Sequence, residues 1–415
     1  MADAAIFAAD LVLPVSAPPV RDGAVLVEGG RITAVGSLEE VRRERPDAGV
    51  RRFPRCAITP GAINAHAHLG FRREDKPPGG PFSDWLKELI SKLPEKDAWT
   101  PEAAANSARE ALESGTTYMA ESSPYGECLP QLAGSGMAGT VFAEFFAGDF
   151  PDSSPEERVS AIFEKARRLR EGLPPRVDCQ VSVHSPYTVD PESAGLAARR
   201  AREEGSVLAI HLQESPEEVE FVCEGTGGLA GIFGSNDWGG RGVSPVRFFE
   251  EAGVLGPNVI AAHFATEVGD EEIEVLARAG MAAAHCPRSN EYLNCGVSPV
   301  LEMLRRGVRV GMGTDGLWSG PSMNLFEETL FAVKLHGFDG ASGLRLATLG
   351  GAQALGIDRE TGSLEVGKWA DLAIVEAAPG EADEYPEMEV LEAAAGGGVA
   401  ATVVGGAMVH DRLGS

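Results

Sequence analysis

Short apolar runs alternate with amphipathic stretches through the middle of the chain, from about residue 57 to residue 357. The apolar runs are predicted to be buried strands, at residues 57–64, 116–120, 140–143, 179–183, 207–210, 259–262, 281–284 and 308–313. The amphipathic runs are predicted to be helices, for example at residues 155–173, 191–204, 271–279 and 297–306. Eight strand–helix units of this kind favour a closed (β/α)8 barrel of the α/β class.

Both ends of the chain have a different pattern, in which short apolar runs are separated by glycine-containing turns. Residues 24–28 and 31–35 flank Gly29 and Gly30, which predicts a β-hairpin. Further strands are predicted at residues 369–375 and 401–404. We therefore expect a small β-sandwich domain built from both termini, residues 1–57 and 358–415, and a barrel domain over residues 58–357.

The histidines follow the predicted barrel strands closely. Six of the eight histidines lie at the carboxyl end of a predicted strand, namely His66, His68, His184, His211, His263 and His285. Asp315 follows the eighth strand in the same way. Because the carboxyl ends of barrel strands surround one mouth, we expect these side chains to meet there. His336 and His410 lie elsewhere and are predicted to have no functional role.

Imidazole and carboxylate side chains are the ligands that a borderline divalent ion prefers. His66 and His68 are two residues apart in an extended segment, so both rings point to the same side. His211 and Asp315 can complete a metal site from across the barrel, with a position left open for water. Taken singly, each residue also fits a role without a metal. An isolated His-x-His motif is weak evidence for a metal site, His184 or His285 could be a hydrogen-bonded structural histidine, and Asp315 could be a turn residue.

Composition and charge narrow the range of partners. The net charge of −26 excludes a basic surface for nucleic acid and a polybasic membrane patch. No apolar run reaches the ~18 residues of a membrane span, and the amino terminus lacks the basic region of a signal peptide. The six cysteines form no Cys-x-x-Cys pair, which argues against a cysteine-rich zinc site and for a reducing compartment. A cytoplasmic location is therefore expected.

Several motifs of the chain resemble the amidohydrolase superfamily, and within it the cytosine, adenosine and triazine deaminase branch. The matching stretches are residues 59–68, 183–188, 211–215, 285–290, 313–316 and 362–371. They occur in the family's order and extend over nearly the whole chain.

The resemblance implies a role for each matching residue. One divalent metal ion per chain would be held by His66, His68, His211 and Asp315. Glu214 would shuttle protons, and Asp315, helped by His263, would receive a proton from the attacking water. His184 would contact the substrate ring.

The resemblance also bears on the number and kind of metal ions. Some relatives hold two metals bridged by a modified lysine after the fourth strand, but no lysine lies between Lys165 and Lys334 here. We therefore expect a single ion, with zinc as the default and iron as an alternative that suits the same ligands.

The substrate contacts are predicted from loops at the same end of the barrel. Residues 71–81 and the following residues 82–86 could form a mobile cap, whose charged residues would suit a polar or anionic group of the substrate, or a surface loop. The candidate contacts besides His184 are Trp85, Arg288 and Asn290. Other loop residues that could contact substrate or simply pack are Trp238, Arg241 and Trp318.

Residues 211–221 and 286–290 look most similar to the aminodeoxyfutalosine deaminases, which act on a modified adenosine of an alternative menaquinone route. The resemblance implies a hydrolase that replaces the amino group of a purine nucleoside, such as aminodeoxyfutalosine, adenosine, S-adenosylhomocysteine or methylthioadenosine, and releases ammonia. The alternatives are another heterocycle (triazine, guanine, pterin or pyrimidine), a leaving group other than ammonia, and an inactive binding scaffold. A homodimer is possible.

Overall fold

The computed structural model describes residues 4–92, 100–234, 238–377, 380 and 385–414. Its strands, in chain order, are β1 (Ala5–Val12), β2 (Val20–Arg21), β3 (Gly23–Glu28), β4 (Arg31–Ser37), β5 (Gly49–Pro60), β6 (Ala62–His68), β7 (Thr116–Pro124), β8 (Ala138–Phe145), β9 (Val177–Val183), β10 (Leu208–Leu212), β11 (Val259–His263), β12 (Ala282–His285), β13 (Arg309–Met312), β14 (Asp315–Gly316), β15 (Leu372–Val375), β16 (Val399–Val404) and β17 (Ala407–Asp411).

The helices begin and end as follows: α1 (Leu38–Glu44), α2 (Phe82–Lys92), α3 (Pro101–Glu113), α4 (Leu129–Gly134), α5 (Pro155–Leu169), α6 (Pro191–Glu203), α7 (Pro216–Glu224), α8 (Gly227–Phe233), α9 (Pro245–Glu251), α10 (Asp270–Ala279), α11 (Pro287–Tyr292), α12 (Val300–Arg305), α13 (Leu325–His336), α14 (Gly340–Arg345), α15 (Gly351–Leu355) and α16 (Pro386–Ala395). Short 3-10 turns lie at Arg73–Asp75 and Ala147–Asp149, and one π-helical turn at Leu346–Gly350.

Strands β6 to β14 form the predicted barrel. Each strand pairs in parallel with the next, from β6 to β13, and β14 pairs in parallel with β6. Because β13 and β14 are separated by only two residues, they act as one eighth strand that closes the sheet on itself. Small residues fill the interior beside larger ones, as in the cluster of Ile63, Ala65, Ala120, Phe142, Ala209, Ile260 and Ala282.

The helices around the barrel begin where the sequence supplies a cap and a proline. In α5, the Ser154 hydroxyl accepts a hydrogen bond from the backbone N–H of Glu157, and the Glu157 carboxylate accepts one from the backbone N–H of Ser154, with Pro155 in the first turn. Asp190 caps α6 in a similar way. The predicted helices at 155–173, 191–204, 271–279 and 297–306 are confirmed, with ends that shift by one to four residues.

Strands from both termini join in one further sheet, in the order β17-β16-β15-β5-β1-β3-β4, with β2 beside β1. The predicted Gly29-Gly30 hairpin is confirmed as the β3–β4 pair. The long strand β5 connects the two halves, because it pairs with β1 from the amino-terminal part and with β15 from the carboxyl-terminal part. The fold class is thus confirmed, while the division at residues 57 and 358 stays a prediction.

One strand prediction is wrong at its start. Residues 57–64 were expected to form the first barrel strand, but residues 57–60 pair with β15 in the terminal sheet, and the barrel strand begins at Ala62. Gly61 marks the change of sheet, because a Cβ at this position would lie 2.1 Å from the Thr117 side chain. The apolar run does not reveal this break, because residues 57–60 are buried in the terminal sheet and residues 62–67 are buried in the barrel.

Within the described residues, no helix is long and apolar enough to cross a membrane. All six cysteines are free thiols, and all except Cys223 are buried.

Candidate active site

The carboxyl ends of the barrel strands bring the predicted metal ligands together. His66 and His68 lie at the end of β6 with ring centroids 4.8 Å apart, so the expectation that both rings share one side is confirmed. His211, at the end of β10, has its Nε2 atom 3.3 Å from Nε2 of His68. Oδ1 of Asp315 lies 3.5 Å from Nε2 of both His66 and His68.

Hydrogen bonds on the outer side of these residues fix their orientation. Nδ1 of His68 donates to the backbone carbonyl of Ser122 at 2.6 Å, and Nδ1 of His211 donates to that of His184 at 3.0 Å. In each ring this leaves Nε2 as the lone-pair atom that points inward.

Two serines hold the outer oxygen of Asp315. Oδ2 of Asp315 accepts hydrogen bonds from Ser289 Oγ at 2.6 Å and from Ser319 Oγ at 2.5 Å. The inner oxygen, Oδ1, is therefore left to face the histidines.

The chemistry of this donor set fits a divalent metal ion. Nε2 of His66 and Nε2 of His263 are buried and make no hydrogen bond within the described part of the chain. Burial lowers the pKa of His66 to about 4 and that of His184 to about 3, so both imidazoles are neutral at physiological pH. Burial alone would raise the pKa of Asp315, but the adjacent histidines hold it well below its usual value. Neutral imidazole nitrogens beside an ionised carboxylate are the form in which these groups bind metal.

Glu214 and His263 face each other beside this cluster, with Glu214 Oε1 3.4 Å from His263 Nε2. Nδ1 of His263 is hydrogen-bonded to Oδ1 of Asn290 at 3.0 Å, which orients the ring. Burial, with the nearby charge of Asp315 as a smaller cause, raises the pKa of Glu214 well above its usual value. A carboxyl group of this kind can hold a proton near neutral pH and release it to a bound molecule.

A buried carboxylate that the sequence patterns do not single out holds the loop after β10. Glu218 is fully buried and accepts hydrogen bonds from the backbone N–H groups of Gln213 and Glu214, each at 2.9 Å. These bonds fix the backbone from which the Glu214 side chain projects. Glu218 lies in the first turn of α7 and would be read from sequence as an ordinary helix residue.

The backbone at the strand ends is strained in a way that is typical of functional sites. His263 and Asp315 have φ angles of 79° and 56°, in the left-handed region that side chains other than glycine rarely adopt. Gly313, two residues before Asp315, packs closely against its neighbours, because a Cβ there would lie 2.8 Å from Cys286 Sγ and 2.9 Å from the His66 carbonyl oxygen. The glycines around Asp315 therefore serve close packing against the metal-ligand strand and not only a turn.

A cavity of about 530 Å³ opens above the cluster, within the range of ~300–1,000 Å³ that is common for small-molecule sites. We call it the substrate cavity. Its floor includes His68, His211, Glu214 and Asp315, and its walls include Phe71, Phe82, Trp85, Leu86, Leu89, Ile90, Tyr125, Glu144, Phe146, Asp149, His184, Tyr187, Phe233, Trp238, Trp318 and Ser319.

Two of the four predicted substrate contacts line the substrate cavity, and two do not. His184 and Trp85 line the substrate cavity, whereas Asn290 lies behind His263 as its hydrogen-bond partner. Arg288 does not line it and instead forms an ion pair with Glu327 at 2.9 Å. Of the further loop residues, Trp238 and Trp318 line the cavity, and Arg241 does not.

His285 faces away from the cluster. Its Nε2 atom lies 3.0 Å from Nε2 of His336 on α13, and neither residue lines the substrate cavity. Strand side chains alternate in direction, so a position at a strand's end does not by itself decide which way a side chain points.

The sequence analysis missed several residues that build the site. Asn64 is buried and ties the first and eighth strands together, because its Oδ1 accepts from the backbone of Thr314 and its Nδ2 donates to the Thr314 hydroxyl. Glu144 lines the substrate cavity with Oε1 3.7 Å from His211 Nδ1. Asn64 and Ser289 lie in stretches that the motifs mark, residues 59–68 and 285–290, whereas Glu144 does not.

Comparisons with known proteins agree with this site. A model described as "Amidohydrolase family" matches residues 57–409, and one described as "Imidazolonepropionase-like composite domain, bacteria" matches residues 23–48. A 5-methylthioadenosine/S-adenosylhomocysteine deaminase of Syntrophobacter fumaroxidans is 31% identical over 85% of this chain and 80% of its own length.

Solved structures with the same fold include two deaminases. An adenosine deaminase from Xanthomonas campestris with bound zinc has a TM-score of 0.82 at 26% identity, covering 99% of this chain and 93% of its own. Aminofutalosine deaminase from Helicobacter pylori has a TM-score of 0.84 at 22% identity, covering 98% and 100%, and shares the fold. The family model spans most of the chain, and the strand ends carry His66, His68, His211 and Asp315, which we call the metal-type cluster. This protein is therefore a hydrolytic enzyme that belongs to the amidohydrolase family.

Proposed function

We propose that this protein is a metal-dependent deaminase that replaces the exocyclic amino group of a purine nucleoside by hydroxyl and releases ammonia. The observation that carries the proposal is the buried Glu214 beside the histidine–aspartate cluster, at the floor of a cavity of small-molecule size. The names of its relatives, which are deaminases of adenine nucleosides, support this substrate class.

In this proposal one divalent ion is held by His66, His68, His211 and Asp315, and zinc is the metal that this ligand set favours. When bound, such an ion supplies Lewis-acid chemistry that lowers the pKa of water towards 7. His263 lies beside Glu214, and its buried Nε2 atom has no hydrogen-bond partner within the described residues, so it can form a hydrogen bond with the attacking water.

The residues of the chain then handle the protons. Glu214 donates a proton to the ring nitrogen next to the amino-bearing carbon, which makes that carbon more electrophilic. Water adds to this carbon, and its proton passes to Asp315, assisted by His263. The proton is transferred on to the amino nitrogen, the carbon–nitrogen bond breaks, and ammonia leaves. The new hydroxyl group gives its proton to the Glu214 carboxylate, which restores the acid and leaves the neutral product. Overall, one water is consumed for each ammonia released.

The other contacts suit a nucleoside placed with its ring over this floor. His184 lies on the cavity wall with its Nδ1 atom held by Ser185 and Thr188, at 3.0 and 2.9 Å, so its Nε2 edge is available to the substrate. Tyr187 and Phe146 flank this histidine and can pack against a planar ring.

The proposed location remains the cytoplasm, and a homodimer is compatible with the fold.

The first test is ammonia release by the purified protein against a panel of adenine nucleosides and other amino-heterocycles, with metal content determined on the same sample. The expected result is ammonia from at least one adenine nucleoside, with about one divalent ion per chain. If the metal-loaded protein released ammonia only from triazines, pterins or pyrimidines, the substrate class would be wrong and the deaminase reaction would stand. If no amino-heterocycle yielded ammonia, the deaminase proposal itself would fail.

The two serines that bind Asp315 give a second prediction. Removing both hydroxyls in a Ser289→Ala/Ser319→Ala variant leaves a buried carboxylate oxygen without donors, so we expect metal affinity to fall by about 10–100-fold. The measurement is competition for the metal with a chelator of known affinity. Ser193→Ala is the matched control, because it also removes a buried hydroxyl, on α6, that makes no hydrogen bond within the described residues. Equal metal retention by the double variant and the control would show that the serines do not position Asp315.

A further inference from the structure

One wall of the substrate cavity is strongly apolar. It is formed by Phe71, Trp85, Leu89, Ile90, Phe233 and Trp238. The sequence had suggested the opposite, because the segment 71–81 carries charged residues that would suit an anionic group. In the structure, the charged side chains of this segment do not line the substrate cavity.

Helix α2 supplies three of these six residues, Trp85, Leu89 and Ile90. Its buried residues Phe82 and Leu86 fix the helix to the body of the protein, and its Trp85 and Leu89 pack with Phe71 and Trp318. Trp85 Nε1 donates to the carbonyl of Trp318 at 3.2 Å, so the indole presents its apolar faces and not its N–H group. Phe71 stacks on Trp318 with ring centroids 4.8 Å apart. The apolar wall is thus a packed surface.

The cations of the preceding segment are engaged by other partners. Arg72 bonds to Glu74 at 2.8 Å, Arg73 bonds to Glu110 at 2.6 Å, and Lys76 donates to the carbonyl of Gly320 at 2.8 Å. None of the three lines the substrate cavity.

The acidic side chains that line the substrate cavity are Glu144, Asp149, Glu214 and Asp315. Burial raises the pKa of Glu144 and of Glu214 well above its usual value, which favours their neutral forms, and none of the four can pair with an anion. No lysine or arginine lines the cavity among residues 4–92, 100–234, 238–377, 380 and 385–414. An anionic group on the substrate would therefore lose its hydration against an apolar wall without gaining a cationic partner, which is strongly unfavourable.

We propose that this enzyme selects adenine nucleosides whose 5′ substituent is apolar and uncharged, such as a methylthio or a deoxy group, and rejects those with a carboxylate or phosphate at that end. The inference rests on the proposed function and on a nucleoside that binds with its ring over the metal-type cluster, which directs the 5′ substituent to the apolar wall. Burial of an apolar substituent there stabilises the bound state, whereas a carboxylate or phosphate is left without a counter-ion.

The test compares kcat/KM for 5′-methylthioadenosine, 5′-(n-butylthio)adenosine, S-adenosylhomocysteine and adenosine 5′-monophosphate. The butylthio compound matches the homocysteine chain in length but carries no charge, so it separates charge from size. We expect the two apolar thioethers to agree within about tenfold and to exceed both charged compounds by about 100-fold. S-adenosylhomocysteine turned over as well as the butylthio compound would overturn the proposal, and so would a butylthio compound as poor as S-adenosylhomocysteine.

A gain-of-function variant tests the same idea in the other direction. Leu89→Arg places a guanidinium on the apolar wall, where arginine is also compatible with the helix, so the preference for the butylthio compound over S-adenosylhomocysteine should fall by about tenfold or more. Leu335→Arg is the matched control, because it makes the same change at an exposed leucine on α13 outside the substrate cavity, and it should keep the wild-type preference. An unchanged preference in Leu89→Arg would contradict the proposal. Absence of ammonia from every nucleoside, with metal bound, would instead be a failure of the proposed function.

Discussion

Glu214→Gln is expected to lower kcat/KM for ammonia release by about 10³-fold while the metal content stays at the wild-type level. The amide has the same shape as the carboxyl group but cannot give up and regain a proton at neutral pH. Because Glu214 is buried and its backbone is held by Glu218, the substitution leaves the surrounding geometry in place. The measurement is steady-state ammonia release together with metal analysis of the same preparation.

A glutamate on the following helix provides the control for this variant. Glu224 is exposed at the end of α7, so Glu224→Gln makes the same chemical change outside the substrate cavity and should keep wild-type kcat/KM. Turnover by Glu214→Gln within a few-fold of wild type would mean that this carboxyl group does not carry the proton. Loss of metal together with turnover would point to a ligand role in its place.

His68→Ala is expected to abolish ammonia release and to bring metal content close to background. The variant removes one of three imidazoles whose Nε2 atoms converge with Oδ1 of Asp315. Only three of the four proposed ligands remain, and such a site binds a divalent ion far more weakly. His68 is preferable to His66 for this test, because its side chain is more exposed, 14% against 5%, so the fold is less disturbed. Metal analysis after dialysis and ammonia release are the two readouts.

His410→Ala serves as the control, since His410 lies on β17 in the terminal sheet and was predicted to have no function. Thermal unfolding of both variants in metal-free buffer separates loss of metal from loss of fold. If His68→Ala retained a full complement of metal and activity, the proposed ligand set would be wrong at this position.

Most of the barrel and its site could be predicted from the sequence because both depend on regular spacing. Eight apolar runs were enough to indicate the barrel, and a barrel brings the ends of its strands to one mouth whatever the details of its loops. His66, His68, His211, His263 and Asp315 were assigned to that mouth for this reason, and the structure places all five there. The alternation of side chains along an extended strand likewise predicted that His66 and His68 share one side.

The predictions from the sequence failed where the direction of a side chain, or the residue it binds, depends on distant parts of the chain. Arg288 was a reasonable candidate for a substrate contact by its position, but Glu327 on α13 binds its side chain. The charged segment after the first barrel strand was expected to suit an anionic group, yet its cations pair with residues such as Glu110, far along the chain. Sequence spacing does not reveal such pairings, because they are set by how separate elements pack.

The sequence by itself thus determined the barrel, the side of it that carries the chemistry, and the residue types that could hold a metal, since these follow from local periodicity and from ligand preference. Only the tertiary structure decided which oxygen of Asp315 faces the histidines, that Glu218 holds the backbone of Glu214, and that apolar side chains line one wall of the substrate cavity. Those features depend on hydrogen bonds and packing between strands and helices that are remote in sequence, and a one-dimensional pattern does not encode the direction in which each side chain is finally held.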